Sequence, residues 1–168
     1  MTVTPLSFEF VRAHASLTWK EAFWGFQQGL IDWEALKDLA GEKLCQGSEQ
    51  EGEIALAGLT HAEATEARAL AKQLADTEEA TPEGHEQKVW LFLSLANLFL
   101  RRTEVDDALA DVEAVYANYG YPTEIENFVR FMPTSDGYEP LKHSHEENVQ
   151  RLYRNWATYL RSRGFDPE

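Results

Sequence analysis

The chain has a single cysteine, Cys45, in 168 residues, which excludes an internal disulfide framework and fits a reducing compartment. It has no charged start followed by an apolar stretch of signal-peptide length. Its most apolar run, Val89 to Leu100, is short of the ~20 residues that a helical membrane span needs. A cytoplasmic protein with no membrane partner is expected. Catalytic signatures are missing as well. There is no Gly-rich phosphate loop closing on Gly-Lys-Ser or Gly-Lys-Thr and no Gly-x-Ser-x-Gly elbow. No second cysteine pairs with Cys45 for zinc, and no His has a Glu three residues before it for a di-iron bundle. The expectation is a non-enzyme with no cofactor and no metal.

Positive charge is scarce too. Fifteen Lys and Arg against twenty-nine Asp and Glu leave a formal charge of −14, which repels nucleic acid and anionic lipid and attracts cationic proteins. Five Trp, six Tyr and nine Phe exclude a disordered acidic chain as the cause.

What is present is helical. Val89–Leu100, VWLFLSLANLFL, is apolar on every side of a helix, so it is expected to be the enclosed centre of the fold. Thr4 and Pro5 mark a first helix start. Four Ser/Thr-x-x-Glu capping boxes, at Thr18–Glu21, Thr60–Glu63, Thr123–Glu126 and Ser144–Glu147, mark further starts. Apolar spacings of three and four recur, as in Val149, Leu152, Tyr153, Trp156 and Leu160. Ile54, Leu56 and Leu59 are assigned to a short helix, and Gly41 implies close packing or an early helix end. Together these predict an all-α fold, a single domain over residues 1–168, with about seven or eight helices around the buried helix 89–100.

The placement of charge points to a surface. Residues 32–85 carry thirteen acids and four bases. Between Thr103 and Val129 there are seven acids (Glu104, Asp106, Asp107, Asp111, Glu113, Glu124, Glu126) and no Lys or Arg. A helix predicted over Glu104–Tyr119 would turn a purely acidic side outward, forgoing the ion pairs that exposed helices usually collect. Tyr116, Tyr119, Tyr121 and Tyr138 are the aromatic candidates beside it. His143 and His145, with Glu146 and Glu147, form the densest group of possible metal ligands. A metal-dependent enzyme built on those two histidines is the alternative, and a helical scaffold for another cellular partner is a third reading.

The run from Tyr119 to Pro133 (YGYPTEIENFVRFMP) resembles a bacterial family of uncharacterised proteins classed as a domain of unknown function. So do Asp136-Gly137-Tyr138, Ser144-x-x-Glu147-Asn148 and Trp156-x-x-Tyr159-Leu160. Near the start, Phe8–Val11, Leu17–Lys20 and Gly29–Trp33 look like the opening of that family. Small acidic helical proteins of this kind resemble the immunity proteins of polymorphic and contact-dependent toxin systems. That resemblance, with the charge pattern, leads to the expectation of an immunity protein. It would bind a cationic protein partner, a cognate toxin domain such as a nuclease, through Glu104, Asp106, Asp107, Asp111, Glu113, Tyr116, Tyr119, Tyr121, Glu124, Glu126 and Tyr138.

Overall fold

A computed structural model describes residues 5–167, and among them there are eight α-helices, three 3-10 segments and no strand. The all-α expectation holds. Among the described residues no helix is long and apolar enough to cross a membrane. The chain expected as one domain, 1–168, divides by its Cα packing into two compact units, residues 1–90 and 91–168.

The first unit contains α1 (Phe8–His14), α2 (Trp19–Gln27), α3 (Trp33–Cys45), α4 (Glu51–Ala57) and α5 (Ala67–Asp76), and the start of α6 (His85–Leu100). Helix α1 begins later than predicted. Thr4 lies outside the described residues, Pro5 is not helical, and the Ser7 hydroxyl caps the helix by accepting from the Phe10 amide at 3.2 Å. Thr18 and Glu21 form the complete capping box at α2, and Asp32 caps α3 through the Ala35 amide. Helix α3 packs on α4 and α5, and α2 and α4 both pack on α5, enclosing Leu36, Ala40, Leu56, Ala67 and Ala71.

Two contacts give this core its shape. Trp90 lies against the bare backbone of Gly25, where a Cβ would stand 2.2 Å from an indole ring carbon. Its indole N–H donates to the Glu21 carbonyl at 2.7 Å. In α4 the predicted apolar residue Ile54 faces out and Glu53 is buried instead, accepting from the Trp19 indole N–H at 2.9 Å. A buried indole donor needs an acceptor, and that need outweighs the apolar preference of the neighbouring position. Gly41 marks neither close packing nor a helix end, since a Cβ there would meet nothing within 4 Å and α3 continues to Cys45.

The second unit holds the rest of α6, with α7 (Ala108–Asn118), the 3-10 segment Thr123–Phe128 and α8 (His145–Ser162). The 3-10 segment packs on α8. Phe128 stacks on Trp156 with ring centroids 6.1 Å apart, and Phe99 meets Trp156 edge-on at 5.0 Å. Ser144 and Glu147 cap α8 as predicted, and Gly164, at φ +82°, follows its end.

Three expectations are corrected. The boxes at Thr60 and Thr123 open 3-10 segments with no side-chain cap on the backbone. In the second case the tighter helix aligns residues three apart, which buries Ile125 and Phe128 together. The helix predicted over Glu104–Tyr119 begins only at Ala108, because the Asp107 carboxylate caps it through the Ala110 amide. The central helix is not enclosed on every side, since Leu100, at its last turn, is 45% exposed.

These packings predict opposite effects of one chemical change. Gly25→Ala forces the buried Trp90 ring to move and should cost at least ~3 kcal/mol, the upper end of overpacking penalties. Gly41→Ala should stabilise by about 0.5–1 kcal/mol. Urea unfolding of both variants checks the pair, and similar midpoints for the two would contradict the packing described.

Candidate partner-docking surface

The acidic stretch is not the unbroken wall that its sequence suggests. Of its seven carboxylates only Asp111 and Glu113 lie on α7, because Asp107 caps that helix and Glu104 and Asp106 precede it. Arg130, 17 residues from Glu113, reaches back and donates to Glu113 at 2.6 Å and to Asp107 at 3.0 Å. Arg101 stands 3.5 Å from Glu104, and Arg163, 39 residues away, donates to Glu124. Glu126 accepts from the Tyr116 hydroxyl at 2.9 Å. Three arginines against seven carboxylates leave the stretch a net charge of −4. The expectation of an all-acid face is corrected, since Arg101 stands just before the stretch and Arg130 and Arg163 return to it from later in the chain. Asp106 and Asp111 make no ion pair among the described residues.

The aromatic candidates separate. Tyr119 is half-buried, with its hydroxyl 2.9 Å from Ser94, and loss of water pushes its phenol up to about 12. Tyr138 holds its loop in place. Its hydroxyl donates to Asn148 at 2.6 Å, and its ring lies 4.2 Å from the Arg151 guanidinium and 4.5 Å from the parallel His143 ring. Both side chains are engaged within the fold. Tyr116 is half-buried, and its phenol is raised by desolvation and by its bond to Glu126.

Tyr121 remains, 63% exposed, with its ring edge-on to Tyr116 at 5.2 Å. It ends α7 in a Schellman arrangement. The Tyr121 amide bonds the Tyr116 carbonyl at 2.9 Å and the Gly120 amide bonds that of Ala117. Its own φ is +62° although Pro122 follows, a left-handed backbone that a bulky side chain rarely adopts.

Sequence reasoning missed Phe131. Its φ is +67° and its ring is 95% exposed, with the Arg130 guanidinium 5.9 Å from the ring centre. A signal was available, since the apolar spacing of Ile125, Phe128, Val129 and Met132 leaves Phe131 off the buried face. Among the described residues, Tyr121 and Phe131 are the non-glycine positions with positive φ. Arg130 binds Glu113 while Tyr121 rests on Tyr116, one helical step further along the same side of α7. Through Tyr116, and through Arg130 on Glu113, the two strained aromatics are tied to one strip of α7.

The match with known proteins follows this architecture. A family model described as an uncharacterized protein conserved in bacteria (DUF2247) matches residues 8–164. The chain belongs to that family. The matched span runs from the first residue of α1 to just past α8 and so includes both strained aromatics of this DUF2247 member. No curated protein and no solved structure matches the chain.

His143 and His145 are not drawn into a metal site. Among the described residues no group of three or more His, Cys, Asp or Glu is placed to hold an ion, and His143 is engaged with Tyr138 and, at 3.1 Å, with Glu147.

The Arg130 fork gives a titration test. The Ala110 amide, with Arg130 beside it, holds the Asp107 carboxyl below the usual carboxylate range. A depressed carboxylate stabilises the fold above its unfolded pKa, and this contribution is lost as pH falls through the lowered folded value. Arg130→Met should move the Asp107 midpoint upward, though not fully, because the Ala110 amide remains. Side-chain NMR titration reads this, and an unmoved midpoint would rule out the fork in solution.

Proposed function

We propose that this chain is a cytoplasmic immunity protein that binds and neutralises a basic toxin domain, a nuclease being the expected kind, through the strip between Tyr121 and Phe131. The observation that carries this reading is that both exposed aromatics are held in strained, left-handed backbone. A left-handed conformation costs a bulky residue about 1–2 kcal/mol, and Phe131 recovers none of this by burial. Strain kept without benefit to the fold points to use by a partner. Large, pre-organised aromatics are the usual anchors of protein interfaces.

Charge has the second role. The net −4 of the acidic stretch and the −14 of the chain favour approach by a cationic protein and raise its on-rate. The aromatics then resist dissociation. A basic nuclease cleft, built to bind phosphates, has the complementary charge.

The test separates stability from binding. Phe131→Gly removes the ring and relaxes the backbone, so the variant should be more stable by about 0.5–1 kcal/mol. It should bind at least about 30-fold more weakly, the loss expected of a hot-spot anchor. The reading expects a toxin reading frame beside this one, whose product, expressed alone, should arrest bacterial growth. The intact chain should relieve the arrest and Phe131→Gly should not. Arrest that the intact chain leaves unrelieved, or relief undiminished in a Tyr121→Gly, Phe131→Gly double variant, would overturn the reading.

A further inference from the structure

The first unit carries a second surface that the strip on α7 does not explain. Between α1 and α3 runs an open groove of about 970 Å³, with Phe8, Ala13 and Cys45 among its walls and the carboxylates of Glu9, Asp38 and Glu42 along it. Arg12 is the one base in its lining. It reaches Glu42 only at 3.9 Å, and its side chain is mostly exposed. The groove adjoins a smaller cavity of about 130 Å³ that shares Phe8, Arg12 and Glu42 with it, and Val11, Leu17 and Leu39 are in that cavity's wall.

We infer that this groove takes a cationic amphipathic helix from a protein partner. Size, charge and the adjoining cavity each narrow the occupant. Two turns of helix, about 10–12 Å across and about 5.4 Å per turn, occupy about 850–1200 Å³, a range that brackets the groove's volume. Three carboxylates against one weakly paired guanidinium in the groove, with Lys43 in the wall of the adjoining cavity, leave an excess of acid that selects Lys or Arg on the flanks of that helix. The cavity beside Val11, Leu17 and Leu39 takes one aliphatic side chain from its apolar edge, the anchor-in-groove arrangement by which amphipathic helices are held. An acidic or uncharged helix would leave the carboxylates unmatched. An extended basic chain would leave the cavity empty. The inference lies wholly within residues 8–46 and stands whether or not the α7 strip docks a toxin.

Cys45 supplies the readout, since it lines the groove, is exposed and is the chain's only cysteine. An environment-sensitive dye on Cys45 is titrated with a designed Lys/Leu amphipathic peptide of about 18 residues, long enough to be helical when bound. Calorimetry on the unlabelled chain runs in parallel. Saturable binding is expected, weakened about tenfold or more in the Glu9→Lys, Asp38→Lys variant, where two exposed ion pairs are lost and replaced by repulsion. Replacing one central Leu of the peptide by Ser should weaken binding to the unchanged protein, a comparison that no folding defect can mimic. Phe131→Gly should leave the titration unchanged, so failure here is distinguishable from failure of the α7 strip. The inference is overturned by the absence of saturable binding, by equal affinity in the charge-reversed variant, or by equal affinity for an unstructured oligolysine of the same charge.

Discussion

Arg130 donates to Glu113 within α7 and to Asp107 at its cap, and the character of the second unit's surface depends on that fork. The guanidinium matches two carboxylates at once, which a lysine ammonium would do less well. It ties the segment after Val129 to the first turns of α7, so Phe131, the next residue, has its ring in solvent. The same contact removes much of the repulsion that would otherwise build where Asp107 and Glu113 lie close. One side chain thus sets both the charge of the strip and the position of its outermost ring.

The two units manage polarity differently. In the first, polar groups enter the core only with a partner in view. Trp19 is matched to Glu53, Trp90 to the Glu21 carbonyl, and Glu78 receives the Trp19 and Lys20 amides at the start of α2. One oxygen of Glu53 remains unpartnered. In the second unit the core is a cluster of rings, Phe99, Phe128 and Trp156, and the Trp156 indole and Tyr159 hydroxyl are buried without partners. Its directional bonds lie instead on the surface, in the Arg130 fork and in the Tyr138, Arg151 and His143 stack. A surface ordered in this way loses less entropy when a partner docks.

Strain and exposure coincide at Tyr121 and Phe131, and this separates them from the chain's other aromatics. Tyr121 has a local reason for its conformation, since its amide completes the stop of α7 and its ring leans on Tyr116. Phe131 has only the Arg130 guanidinium, 5.9 Å from its ring centre, in return. A glycine at this position would relieve the strain with no loss of burial.

The all-helical class was legible from the chain because it depends on local rules. Capping boxes at Thr18 and Ser144 and apolar spacings of three and four act within a few residues and are found as predicted. Net charge and the lone cysteine are likewise properties of composition. What depended on distant partners was not legible. Glu53 is buried in place of Ile54 because Trp19, 34 residues away, needs an acceptor. The acidic run is partly neutralised because Arg130 and Arg163 return to it across 17 and 39 residues. Phe131 is exposed because the predicted helix over it gives way to a short 3-10 segment and a left-handed turn. Periodicity and composition record what each residue prefers among its neighbours in sequence, whereas pairing, burial and backbone strain are decided only when segments far apart in the chain meet.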